Sequence, residues 1–108
     1  SAAAGASVIE DIVLPAYVVL DSVFAEKEQA QRQLVDLGHA GYSNTGFFYI
    51  PEFRYLSGAK LYQVYIGPFE QKADAEAAVC AYNRQNDTVT YGLRLSTEPG
   101  REEIRCPG

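Results

Sequence analysis

Two stretches of this chain repeat one another without gaps at an offset of 45 residues. Tyr17-Val-Val-Leu-Asp-Ser-Val-Phe24, followed by Lys27 and Ala30, aligns with Tyr62-Gln-Val-Tyr-Ile-Gly-Pro-Phe69, followed by Lys72 and Ala75. Each copy reads as an extended apolar run, a turn and a helical run, and this doubling restricts the topologies open to the chain. The extended runs, residues 16–21 and 61–67, are rich in β-branched and aromatic residues, and Gly67-Pro68 closes the second. In residues 25–39, Ala30, Leu34 and Leu37 fall at i, i+4 and i+7, a helical stripe facing a core, with Gly38 and Gly41 as stop signals. In residues 71–84, Ala75, Ala78, Val79 and Tyr82 form the equivalent stripe, and the acidic Asp74 and Glu76 sit near its start.

One further strand completes each half. Residues 46–53 carry Phe47, Phe48, Tyr49 and Ile50, with Pro51 limiting them to an edge or an end. In residues 88–96, Val89, Tyr91, Leu93 and Leu95 alternate with Thr88, Thr90, Gly92 and Arg94. The order strand–helix–strand, twice, predicts an α+β fold built as a split β-α-β pair of the RNP/ferredoxin-like kind. Its sheet is four-stranded and mainly antiparallel, with both helices on one face. The other face is left open for a ligand.

Residues 15–96 form the expected domain. Residues 1–14 are an N-terminal extension or linker, too apolar at Val8-Ile9 and Ile12-Val13-Leu14 for a pure linker. Residues 97–108, with Pro-Gly turns and charges, read as a tail in loop conformation. The whole chain of 108 residues is long enough for one core without obligatory staples. Cys80 and Cys106 match no zinc spacing, and His39 is the only histidine. They are either two free thiols or a disulfide closing a loop of about 27 residues, with the disulfide favoured and stabilising by about 3–4 kcal/mol.

Charge and composition narrow the function. Nine basic against fourteen acidic residues give a net charge of −5, a poor footprint for phosphates, so nucleic acid is not an expected partner. Eight Tyr and five Phe, without Trp, suit a surface that stacks on flat or ring-shaped ligands. No apolar run reaches the roughly 18–20 residues of a membrane span, so this segment makes no membrane contact itself. No Ser–His–Asp or Cys–His arrangement and no Gly-rich phosphate loop is present, and Glu102-Glu103 lies in the polar tail. The chain is therefore expected not to be an enzyme and to need no cofactor or metal.

The second repeat, a strand ending in Gly67-Pro68-Phe69 followed six residues later by Ala75, resembles the signature of the SPOR (sporulation-related repeat) family. The first repeat matches more loosely through Phe24, Ala30, Leu37 and the Gly41-Tyr42 pair. The resemblance covers roughly residues 16–96. It implies a non-catalytic domain of the periplasm or cell envelope that binds peptidoglycan glycan strands, especially strands stripped of stem peptides, on its open sheet face. It also implies a role in targeting division or envelope proteins, with other such proteins as further partners. A protein–protein module using the same face is the alternative, and an RNA-recognition-like domain a weaker one. Three features depart from the family pattern. The first strand lacks the usual Gln and Gly, the third carries Gln63 and Tyr65 where Arg is frequent, and an extended hairpin occupies residues 53–60.

A gapless repeat points both Val19 and Asp21 toward the helices. Burying a lone carboxylate is costly, so a bulge that turns Val18 and Leu20 inward and leaves Tyr17, Val19 and Asp21 outside is expected. On the open face the alternation places Gln63 and Tyr65, whose amide and ring suit sugar hydroxyls and N-acetyl groups. Phe47 and Tyr49 join them if Phe48 and Ile50 are core. Arg94, on the outward set of its strand, and Arg54, on the hairpin, are candidates for sugar oxygens or a muramic carboxylate. Ser22 stands where the family places a small residue near the ligand, and a cap of the following helix is an equally good role for it.

Overall fold

The computed structural model describes residues 12–53 and 55–107. Among these residues five strands and two helices follow one another: β1 (Ala16–Phe24), α1 (Lys27–His39), β2 (Thr45–Tyr49), β3 (Tyr62–Phe69), α2 (Lys72–Asn86), β4 (Gly92–Leu95) and β5 (Glu103–Ile104). A short 3-10 turn, Ile50–Glu52, follows β2, with Pro51 ending the strand as its missing N–H requires. The sheet order is β2-β3-β1-β4-β5 and every pairing is antiparallel. Each repeat is thus a β-α-β unit whose two strands are split by a strand of the other repeat. This is the expected α+β arrangement, with one strand more.

The helices pack on a single face. The buried residues of both, Ala30 and Leu37 in α1 and Ala75, Val79 and Tyr82 in α2, share one cluster with Val19, Phe47, Val64, Ile66 and Ile104. The opposite face is also apolar and also buried. There Val18, Phe48, Tyr65, Leu93 and Leu95 are covered by Ile12 from the N-terminal segment and by Ile50 and Phe53 from the β2–β3 connection. Leu14, Leu56 and Leu61 add to that cover. The expected open face is therefore partly roofed by the chain's own extension and hairpin.

The expected bulge exists but sits later and does not turn Asp21 outward. Between the pairs Leu20↔Tyr65 and Ser22↔Val64 the excess residue is in β1, at Asp21. Between Tyr17↔Phe69 and Val19↔Ile66 it is in β3, at Gly67-Pro68. Under the 45-residue repeat Asp21 aligns with Ile66, so the two irregularities fall at adjoining positions, one in each repeat. Val19 accordingly points to the helices, and so does Asp21. Its carboxylate is only partly buried, and the water it loses is replaced because it accepts from Tyr82 Oη, from Gln33 Nε2 at 2.9 Å and from Ser22 Oγ at 2.7 Å. Ser22 does not cap α1. Gln29 Oε1 instead accepts the Glu26 N–H at 3.3 Å.

The tail is not a loop throughout. Ile104 is fully buried in the helix-side core, and its strand pairs with β4 through Gly92↔Ile104 and Leu93↔Glu103. Gly92 makes this possible, since a Cβ there would lie 2.4 Å from Val18 O and 3.2 Å from Ile104 Cβ. Cys80 in α2 and Cys106 are disulfide-bonded, with a Cα–Cα distance of 4.9 Å. Of the sequence-predicted fourth strand, residues 88–91 are irregular and Val89 is exposed. Asn83 holds this stretch instead, accepting the Thr90 N–H at 2.7 Å and donating to Thr90 O at 3.1 Å.

Burial, and then the bond to Asp21, hold the Tyr82 hydroxyl protonated well above the ordinary tyrosine range. Unfolded tyrosine ionises near about pH 10. The stabilisation is therefore complete below that pH and is lost as pH rises beyond it. Urea unfolding between pH 8 and 11 is expected to show stability falling above about pH 10. Tyr82→Phe is expected to lower stability at pH 8 by about 1.5–3 kcal/mol and to flatten the alkaline fall.

Candidate functional site

The roof over the sheet is incomplete. Between the β2–β3 connection and the segment leading into β4 lies a groove of about 250 Å³. Its floor is sheet: Leu20 and Val23 from β1, Phe48 from β2, Gln63 from β3 and Leu93 from β4. One wall is the connection, through Ile50, Leu56, Ser57, Ala59 and Leu61; the other is Tyr91 with Arg101. Val23 is 46% exposed, so the floor is reachable by solvent. An elongated ligand with apolar faces and polar edges suits such a surface.

Gln63 is fixed in the floor. Its Nε2 donates to Ser22 O at 3.1 Å and to Val64 O at 3.0 Å, which uses both amide hydrogens and sets the plane of the group. The Ser22 carbonyl is available because the bulge at Asp21 displaces it from the regular ladder. Beyond those bonds the amide offers its acceptor, Oε1.

The far wall is charged. Arg101 Nη2 donates to Tyr91 Oη at 2.9 Å, and its Nε to Glu103 at 3.3 Å. Arg105 meets the other Glu103 oxygen at 2.6 Å and lies 4.8 Å from the Tyr91 ring centroid. The Arg105 bond, and then that of Arg101, hold the Glu103 carboxyl below its usual range. Two guanidiniums and one carboxylate leave this wall with a net positive charge in an acidic chain.

The candidate residues separate on this geometry. Gln63 lines the groove, and Ser22 touches it only through the carbonyl that orients Gln63. Tyr65 faces the groove side, as its alternation with Val64 and Ile66 indicates. It is nonetheless 1% exposed, beneath the roof with its ring 5.8 Å from Phe48. Phe47 and Tyr49 are on the other face. Phe47 is fully buried against the helices, and Tyr49 packs on Tyr62 at 4.9 Å. The pairs Phe47↔Val64 and Phe48↔Gln63 set that register, and an apolar run buried on both sides carries no alternation to reveal it. Arg94 pairs with Tyr17, which packs on the helix side, so it too is off the groove face and lines a smaller cleft with Leu14, Pro15 and Glu98. Arg54 lies outside the described residues.

Leu20, Val23, Phe48, Tyr91 and Arg101 are groove residues that the alternation argument missed. The gapless repeat contained part of the signal, since it equates Leu20 with Tyr65 and so puts both on one face. Arg101 belongs to a stretch that reads as a polar tail, where only Ile104 and Cys106 hint at an anchored strand.

The fold is that of a small α+β module with an accessible groove on the helix-free face of its sheet and no cluster of metal-ligating side chains among the described residues. A family model for the SPOR domain matches residues 17–86, and the chain belongs to that family. SPOR domains bind peptidoglycan, are not catalytic, and occur in division-associated proteins of the periplasm or envelope. No curated protein and no solved structure matches the chain. Among the described residues no helix is long and apolar enough to cross a membrane.

The assignment of faces is testable by stability alone. Phe47→Ala is expected to cost about 3–5 kcal/mol in urea unfolding, as a core truncation does. Val23→Ala, in the groove floor, is expected to cost no more than about 1 kcal/mol. Equal costs would contradict the register.

Proposed function

We propose that this domain binds the glycan strands of peptidoglycan, stripped of stem peptides, in the groove on its helix-free face. Binding there would help place a cell-envelope or division protein at its site of action. The observation that carries this reading is the family match over residues 17–86, which contains nine of the twelve residues lining the groove. The groove chemistry is compatible with it. Leu20, Val23 and Tyr91 offer apolar surface to the faces of sugar rings. Gln63 Oε1 accepts from a hydroxyl or an N-acetyl N–H, and the arginine wall donates to ring or acetyl oxygens. A peptide-bearing strand carries bulk on alternate sugars, which a groove of this size between two walls accommodates poorly.

Co-sedimentation with purified sacculi, before and after amidase treatment, tests the reading. Retention that rises after amidase treatment is expected, and no retention in either form would refute it. Val23→Glu and Tyr91→Ala are each expected to weaken binding about tenfold or more, or about 1.4 kcal/mol, with the fold intact by circular dichroism. Unchanged binding by both variants would move the site out of the groove.

A further inference from the structure

The family match ends at residue 86, yet one wall of the groove comes from beyond it. That wall is Tyr91 with Arg101, and Arg101 is carried by a tail held to the domain at three points. Ile104 is buried in the core, Lys72 at the start of α2 meets Glu102 at 2.9 Å, and Cys106 is bonded to Cys80. A strand of two residues is a weak attachment by itself. The disulfide lies two residues beyond β5 and ties it to α2, so it also limits how far Arg101 can move from the groove.

We propose that Arg101 is a specificity-determining residue of the groove, pairing with a carboxylate on the edge of the bound glycan, and that the Cys80–Cys106 disulfide holds it in place. The inference rests on the glycan reading above and adds the group that is recognised and the part of the chain that recognises it. Its bonds to Tyr91 and Glu103 use two of the five guanidinium N–H groups, and they orient the planar fork without exhausting it. Arg105 also engages Glu103, so that carboxylate only partly offsets Arg101. No other residue lining the groove among those described is charged, so the cation marks one edge of the ligand and no other. On a glycan strand without stem peptides, the matching anion is the lactyl carboxylate of the muramic acid sugar. It is an amide while a peptide is attached and becomes charged when the peptide is removed.

Two ligands separate the possibilities: peptide-free glycan strands, and the same strands with their carboxylates converted to neutral methylamides. Wild-type protein under oxidising conditions is expected to bind the charged strands about fivefold more tightly, a difference that shrinks with added salt. Arg101→Gln is expected to abolish the preference, so that the charged and the neutral strands bind with the same affinity. Cys106→Ser, in buffer below its unfolding midpoint, is expected to lose most of the preference and keep its binding of neutral strands. Equal wild-type binding of both ligands, or a preference that survives Arg101→Gln, would overturn the role of Arg101. A preference lost in Arg101→Gln but intact in Cys106→Ser would overturn the role of the disulfide. Failure of wild-type protein to bind either strand would refute the glycan reading itself.

Discussion

The carboxylate of Asp21 is the point at which the two repeats are joined. It sits on the bulge of β1 and accepts from Gln33 in α1 and from Tyr82 in α2, so one charge ties the central strand to both helices. Three hydrogen bonds replace the water this half-buried carboxylate loses, which keeps the cost of its partial desolvation small. The same bulge places Ser22 Oγ on Asp21 and turns the Ser22 carbonyl toward Gln63. The helix-side core and the groove floor on the opposite face are thus set by one local irregularity. Without the extra residue, Phe24 would change faces and Gln63 would lose the carbonyl that orients it.

The repeated strand–helix unit, the helix stripes and the antiparallel split topology were legible because each depends on periodicity or on element order. Facing was not, wherever both sides of a strand are buried. Phe47-Phe48 shows the difficulty: two adjacent rings, both wholly inaccessible, one under the helices and one under the hairpin. Alternation distinguishes inside from outside, and here both directions are inside. Asp21 misled for a different reason. A carboxylate in a strand reads as an exposed position unless its partners are known, and these lie 12 and 61 residues away.

The hairpin and the N-terminal segment alter what the sheet face can do. A fully open face would offer the flat surface of four strands. Here Tyr65, at the centre of β3, is buried in one cluster with Phe48, Phe53 and the covering segments, and what stays accessible is the groove between the β2–β3 connection and Tyr91. The departures from the family pattern fall in the same places. Gln63 and Tyr65 stand where arginine is frequent, and the lengthened connection is what covers Tyr65. A charged arginine at position 65 could not be buried under that roof without a partner, so the apolar cover and the uncharged strand belong together.

The positive charge missing from the floor is present instead on the tail. Arg101 and Arg105 stand beside Tyr91 at the groove's edge, held by a strand that exists only because Gly92 leaves room for Ile104. Burying Ile104 contributes about 1.5–3 kcal/mol, and closing the Cys80–Cys106 loop about 3–4 kcal/mol in the chain-entropy model. The two are of similar size and act at adjacent points, so neither alone accounts for the ordered tail. A cation supplied by a separate segment can be adjusted without disturbing the sheet, whereas one built into β3 would compete with the packing that buries Tyr65. The roofed floor and the tethered cationic wall are consequently two parts of one arrangement, in which shape comes from the sheet and charge from the tail.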